Sequence, residues 1–356
     1  MTIHDTEPSP RPRRILLIRP SALGDVCRTV HVLSALKRSY PAAAIDWLVQ
    51  DTFAAAVANH PDLNEVLAFP RSALARWTSP ATWGPIRVFL QSLRDRSYDL
   101  VLDCQGLARS GVFAAATGAP RRVGLANAAE LGWLGLTEGV DAPRELHAVE
   151  RMSLVAAAAG AIPTNDLRLY SAEADREHAY KQFGLSPGSY ILLAPMTRWP
   201  GKRWPGARFA DLAVRLLQQL PPSQRIAFVG GAKEQDQCGE LEALAKHDAR
   251  VMSLVGKTSV GQLMAVVEGA GLVVACDSAA LHMAVGFDRR LVGLFGPTDV
   301  RRVGPYGRER DVIQRVESSE SLNHKDPALG AGLMSRISVD EVLEAVCQRL
   351  SATRST

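Results

Sequence analysis

No apolar run in this chain approaches the roughly 18 residues that a membrane-spanning helix needs. No charged-then-apolar leader opens it either, so the expectation is a cytoplasmic protein. The 5 cysteines (Cys27, Cys104, Cys238, Cys276, Cys347) are odd in number and scattered, with no Cys-x-x-Cys. A disulfide framework is disfavoured, and most of them read as small buried hydrophobes of a reducing compartment. The 8 histidines show no zinc spacing, and Asp-x-Asp occurs nowhere. No metal and no cofactor is therefore expected. Net charge is only +4, without a long basic run or an aromatic-interleaved basic stripe, which speaks against a nucleic-acid partner. The cluster Arg11, Arg13 and Arg14 beside a proline-rich tail reads as a solvated terminus. The first strand-to-helix turn lacks Gly-x-Gly-x-x-Gly, and no Gly-x-x-x-x-Gly-Lys-Ser/Thr is present. A dehydrogenase-type dinucleotide fold and a P-loop are both disfavoured.

What is present is a soluble globular composition, 47% apolar and 22% charged, in a chain too long for one ordinary core. Apolar runs predict strands at 14–19, 44–49, 65–69, 98–103, 189–194, 225–230, 250–255, 271–276 and 290–295. Helical patterns are expected at 26–39, 83–96, 206–219, 233–247, 259–268, 278–286 and 338–350. This alternation predicts an α/β protein with two parallel sheets, each covered by helices. Pro163, Asn165, Gly184, Pro187 and Gly188 mark 160–188 as the weakest region. The expected organisation is a disordered tail 1–13, an N-terminal domain 14–175, a C-terminal domain 176–337, and a final helix in 338–356 that packs back across the boundary. Two such domains facing an interdomain cleft suit a reaction that joins two substrates.

Polar groups gather where strands end. The run 273–276 stops at Asp277-Ser278-Ala279-Ala280, with Asp277 or Ser278 placed to cap the following helix. A helix N-terminus suits a phosphate, and His282 lies one turn beyond Ser278 on the same face. The run ending at Arg19 gives way to Pro20-Ser21-Ala22-Leu23-Gly24-Asp25 in the same manner. After the strand at 189–194, Lys202 is a compact cation for phosphate, with Arg198 or Arg203 adding a fork contact. Trp204 reads as packing on the next helix. Glu234, beside Gly230-Gly231, is placed for sugar hydroxyls or else for a charged first helical turn. Thr298 closes a further strand. In the first half, Gln105 and Arg109 follow the strand ending at Asp103 and suit a polyhydroxylated, anionic acceptor. Glu150 and Arg151 read as a surface pair.

Six blocks in order resemble the lipopolysaccharide heptosyltransferases, glycosyltransferase family 9. They are Arg19-Pro-Ser-Ala-Leu-Gly-Asp25, Asp103-Cys-Gln-Gly-Leu, His147-Ala-Val-Glu-Arg151, Thr197-Arg…Lys202-Arg-Trp-Pro205, Asp277-Ser-Ala-Ala-Leu-His282 and Gly296-Pro-Thr-Asp299. The resemblance implies a GT-B fold, an ADP-heptose donor and a Kdo-lipid A type acceptor. It implies that Asp25 is the catalytic base and that Lys202 contacts phosphate. The donor side would comprise Asp277 and His282, with Thr197, Arg198, Ser278, Ala279 and Thr298 beside them and Glu234 matched loosely. Ser21, Gly24, Arg28, Gln105 and Arg109 fall on the acceptor side. His31 stands where the family has proline, and Arg28 where one branch has histidine; both face the acceptor half.

The expected activity is thus inverting, metal-independent heptosyl transfer by a monomer that touches the inner face of the inner membrane peripherally. Two alternatives remain: a sugar-nucleotide epimerase on the same fold, and a non-catalytic nucleotide-sugar-binding protein.

Overall fold

The computed structural model describes residues 11–71, 80–317, 319–320 and 322–351; residues 1–10 of the expected tail lie outside them. Among the described residues the chain forms two six-stranded sheets and two compact units. Every strand pairing is parallel.

The first sheet contains β1 (Arg14–Ile18), β2 (Ala44–Gln50), β3 (Glu65–Phe69), β4 (Leu100–Asp103), β5 (Arg121–Leu125) and β6 (Glu138–Val140). Its order is β3-β2-β1-β4-β5-β6. The central strand is apolar on both faces, with Ile15, Leu16, Leu17 and Ile18 wholly buried, as a sheet covered on two sides requires. Helices α1 (Leu23–Ser39), α2 (Pro80–Asp95), α3 (Ala108–Ala116) and α4 (Ala148–Ala158) accompany these strands. Strand order reverses between β1 and β4, whose ends pair as Ile18 with Asp103. Turns after these two strands therefore leave the sheet side by side, which is where open α/β sheets bind ligands.

The second sheet repeats that plan. It contains β7 (Tyr190–Ala194), β8 (Arg225–Phe228), β9 (Val251–Ser253), β10 (Leu272–Cys276), β11 (Arg290–Phe295) and β12 (Val312–Gln314), in the order β12-β11-β10-β7-β8-β9. The reversal falls between β7 and β10, both fully buried strands. The helices of this part are α5 (Glu173–Phe183), α6 (Gly206–Gln219), α7 (Gly239–His247), α8 (Val260–Gly269), α9 (Ala279–Gly286), the short α10 (Val300–Val303), α11 (Pro327–Met334) and α12 (Val339–Ser351). Helix α12 puts Val339, Val342 and Val346 into the same core as Phe209 of α6 and Val292 and Leu294 of β11.

Several elements differ from expectation. The region 160–188 carries α5, and α11, for which no helix was expected, forms with Asp326 as its cap, accepting from the N–H groups of Ala328 and Leu329. The helix expected at 233–247 is split into a tight 3-10 turn, Ala232–Cys238, and α7. Strands β6 and β12, of 3 residues each at sheet edges, are too brief to read, and β5 opens with two arginines.

All five thiols are unpaired, and four are buried. Burial pushes those of Cys27, Cys104 and Cys276 up to about 12, leaving inert small hydrophobes. Among the described residues no helix is long and apolar enough to cross a membrane.

Candidate active site

The second compact unit comprises Ala22–Arg28, Glu145–Ala148 and Leu167–Thr356, and most of the expected site residues fall within it. Lys202 ends the 3-10 turn Pro200–Lys202 that follows β7, while Asp277 follows β10. The two strands are neighbours, so Lys202 Nζ donates to Asp277 Oδ2 at 2.6 Å, directly across the reversal of strand order. The side chains are only 14% and 9% exposed. Two close backbone approaches fix the lysine turn. A Cβ on Gly330 of α11 would stand 2.3 Å from Gly201 O, and one on Gly201 would stand 3.0 Å from Asp326 O, so Gly330 tolerates no side chain and Gly201 has little room for one. Arg203 spends its guanidinium on Thr197 O, at 3.1 and 2.9 Å. Of the two arginines considered for a fork contact, it is Arg198 that is exposed, stacked over Trp199 at 5.7 Å.

The capping expected at α9 is not made. Ser278 is the N-cap, yet its hydroxyl does not bond the helix, and the Asp277 carboxylate turns to Lys202 instead. Ser278 Oγ is buried without a hydrogen-bond partner, and so is Thr298 Oγ1 after β11. Two orphaned buried hydroxyls in one unit are costly unless a ligand satisfies them. Ala279 opens α9, whose first N–H groups add partial positive charge. His282 is 6% exposed; burial, then the Arg28 charge, holds its imidazole well below the usual histidine range, so it is neutral.

Asp25 lies inside the first turn of α1 rather than on the preceding turn, because the helix starts three residues earlier than its apolar pattern suggested. Its Oδ2 accepts from Ala22 N–H at 3.3 Å and its Oδ1 from the Arg28 guanidinium. The first contact is half of a capping box. Arg28 also donates to Val303 O at 3.0 Å. Gly24 faces His282: a Cβ there would stand 2.8 Å from the imidazole Cδ2. His282 thus senses the charges of Asp25, Arg28 and Lys202 together.

In the first unit, Ser21 N–H donates to Gln105 Oε1 at 3.1 Å, joining the turns after β1 and β4. Asp103 clamps its own turn, accepting from the N–H groups of Gln105 at 2.9 Å and Gly106 at 3.1 Å and from Ser110 Oγ at 2.8 Å. Burial raises its carboxyl above the usual range against those donors. Arg109 is exposed on the first turn of α3. His31 is buried in this unit, and its Nε2 bonds Val149 O at 3.1 Å, tying α1 to α4.

The remaining expected residues make local contacts. Glu234 Oε2 accepts from Gly231 N–H at 2.7 Å, and Thr197 Oγ1 donates to Trp199 O at 2.7 Å. Trp204 packs edge-on to Phe209 of α6 and donates to Ile337 O at 3.0 Å. Sequence reasoning missed His324, whose ring meets Trp199 edge-on at 5.2 Å and which feels the Lys202 and Asp277 charges. It lies in an irregular stretch with no periodicity to flag it. His147, noted only as part of a block, is buried, stacked on Tyr306 at 4.9 Å and bonded through Nε2 to Gly304 O at 3.1 Å.

Residues 86–330 match the model of glycosyltransferase family 9 (heptosyltransferase). Lipopolysaccharide heptosyltransferase 1 of Pseudomonas aeruginosa is 31% identical over 306 residues, 83% of this chain and 82% of that protein. The structure of E. coli ADP-heptose LPS heptosyltransferase II matches with TM-score 0.77 at 24% identity, covering 95% of this chain and 98% of that one. An E. coli heptosyltransferase solved with ADP-2-deoxy-2-fluoro heptose matches with TM-score 0.73 at 24% identity, covering 94% and 99%. The two structural matches assign the fold, of GT-B type. A family match across most of the chain, with a relative above 30% identity, carries the rest: this protein is a glycosyltransferase and belongs to family 9, the heptosyltransferases.

Proposed function

We propose that the protein transfers heptose from ADP-heptose to an inner-core lipopolysaccharide acceptor of Kdo-lipid A type, with inversion and without a metal. The observation that supports this most is the Lys202–Asp277 pair with the orphaned Ser278 hydroxyl at the strand-order reversal of the second sheet, and the orphaned Thr298 hydroxyl after the neighbouring strand β11. A nucleoside diphosphate supplies the charge and the acceptor oxygens such a place lacks. One relative of the same fold was solved with a fluorinated ADP-heptose.

In this reading the acceptor hydroxyl oxygen attacks the anomeric carbon. Asp25 takes the hydroxyl proton as that bond forms, because an alcohol is far too weak an acid to ionise unaided. The bond to the diphosphate oxygen breaks, and ADP leaves with the electron pair. Lys202 and the first N–H groups of α9 meet the growing charge on the leaving group. A carboxylate has about four lone-pair sites, so Asp25 can hold Ala22 N–H and Arg28 and still accept a proton. Arg28 positions it. Donor hydroxyls would find Ser278, Thr298 and Glu234, while Ser21, Gln105 and Arg109 serve the acceptor. Work at the inner face of the inner membrane, by peripheral contact, follows from a lipid-anchored acceptor.

The test is incubation with ADP-heptose and a Kdo-lipid A acceptor in excess EDTA. Full transfer with an inverted anomeric configuration by NMR is expected. Activity that vanishes in EDTA and returns with magnesium, or a retained configuration, would overturn the mechanism.

A further inference from the structure

The first unit carries a cavity that, apart from Arg109 at its lining, the transfer chemistry leaves unused. It encloses about 400 Å³, inside the range of roughly 300–1,000 Å³ usual for ligand pockets. Three aromatic rings line it: Phe69 at the end of β3, Phe89 on α2 and Phe113 on α3, with centroids 5.6, 5.0 and 5.4 Å apart. Arg71, Arg109 and Glu130 are its charged lining, two cations against one carboxylate. The Arg109 guanidinium lies over the Phe69 ring at 5.6 Å. An adjoining hollow of about 350 Å³ shares Ile86 and Leu90 and adds Arg87 and Arg94.

The surrounding surface is unusual too. Among the described residues, six of the twelve exposed large apolar side chains come from α2, α3 and the turn Ala129–Gly135. They include Trp83 and Val88 on α2, Val112 on α3, and Leu131 and Leu134 in the turn. Water gains little in such a cavity, because it finds few polar partners there. Apolar chain fits the walls, and an anionic head fits the two arginines. Position narrows the occupant: Ala108 and Arg109 line the cavity at the start of α3, directly after the turn that carries Gln105.

We propose that this cavity holds one acyl chain of the lipid-linked acceptor, with Arg71 and Arg109 meeting the anionic group beside that chain. The inference rests on the acceptor being the lipid-anchored saccharide proposed above. A finite cavity, unlike a bilayer surface, takes a chain of limited length. That difference is measurable.

Hexyl to tetradecyl phosphates, kept below micelle-forming concentrations, are titrated calorimetrically into the full chain. Affinity should rise about fourfold per added methylene and then level off once the cavity is full. Alkyltrimethylammonium ions of equal length should bind about tenfold more weakly, since the rim is cationic. Val112→Trp, at a position 53% exposed and so tolerant of change, should weaken the longer chains roughly tenfold by filling the space. Val112→Ala should keep binding. In turnover, wild type should favour an acylated acceptor over its O-deacylated form, and Val112→Trp should bring the two kcat/KM values towards equality. Affinity that climbs with chain length without a break means surface partition and overturns the proposal. A flat series, with equal transfer to acylated and deacylated acceptors, overturns it and leaves the transferase reading intact. No transfer to any lipid acceptor removes that reading and, with it, the acceptor as occupant.

Discussion

Lys202 Nζ lies 2.6 Å from Asp277 Oδ2, although 75 residues separate them in the chain. The pair forms because β7 and β10 are neighbours in the sheet while β8 and β9 lie to one side. An ammonium has three donors, so Lys202 can hold Asp277 with one and offer others to a diphosphate. Asp277 thereby aims the lysine. It need not touch phosphate, which it would repel.

Lys202→Ala should lower kcat/KM by about 2–4 kcal/mol of transition-state stabilisation, the scale for one preorganised electrostatic contact. It should also destabilise the fold, because Asp277 is left largely buried without its counter-charge. The double variant Lys202→Ala/Asp277→Asn separates the two effects. Urea unfolding should show stability recovered, while assays show activity still lost. Recovery of activity in the double variant would mean that Lys202 merely neutralises Asp277.

Asp25→Asn should lower kcat roughly 10²–10⁴-fold, the usual contribution of a general base. Calorimetric titration with ADP should show donor affinity nearly unchanged, since the base acts in the transition state. Comparable turnover in the variant would remove Asp25 as base.

Much of this was legible beforehand, and the reason is the length of the apolar runs. Strands β1, β7 and β10 are buried on both faces, but for Arg14 at the start of β1, and read as near-continuous apolar segments. Strand β5 opens with Arg121 and Arg122, which pair with Glu138 and with carbonyl oxygens, so its charge masks its structure. The candidate residues Asp25, Lys202, Asp277 and His282 could be named singly, because each follows a strand. Their partners could not: the contacts of Gly24 with His282 and of Gly201 with Gly330 depend on how distant segments pack. His324 gave no signal at all.

Gly24→Ala separates helix propensity from site geometry. Alanine is the better helix former by about 1 kcal/mol, so the exchange would favour α1 in isolation. Here the new methyl meets the buried His282 ring, which must shift to admit it. Activity should fall by about tenfold or more, while overpacking of about 1–3 kcal/mol, offset by the helix gain, should leave a net stability loss of up to about 2 kcal/mol. Assay beside thermal melting checks both; unimpaired turnover would show that His282 can move freely.

His282 makes stability depend on pH with a definite sign. It is neutral when folded, whereas in the unfolded chain it protonates near the ordinary value of 6.5. Below that pH the unfolded state binds the extra proton, so stability falls as pH falls. The contribution is fully present above about pH 6.5 and is lost by up to about 1.4 kcal/mol per unit below it. Urea unfolding between about pH 7.5 and 5 should show a shallower decline for His282→Gln than for wild type. Identical slopes would mean that the imidazole is protonated in the folded protein.

Buried clusters lie on each sheet: one gathers Leu16, Val101 and Phe113, the other Leu193, Phe228 and Val274. Helix α1 belongs to both units, its first residues up to Arg28 to the second and the rest to the first. A nucleotide that engages the folded second unit stabilises it by mass action, by about 2.7 kcal/mol at a hundredfold excess over its Kd. Melting should therefore move upward with added ADP. Calorimetry can thus report donor binding before any acceptor is in hand.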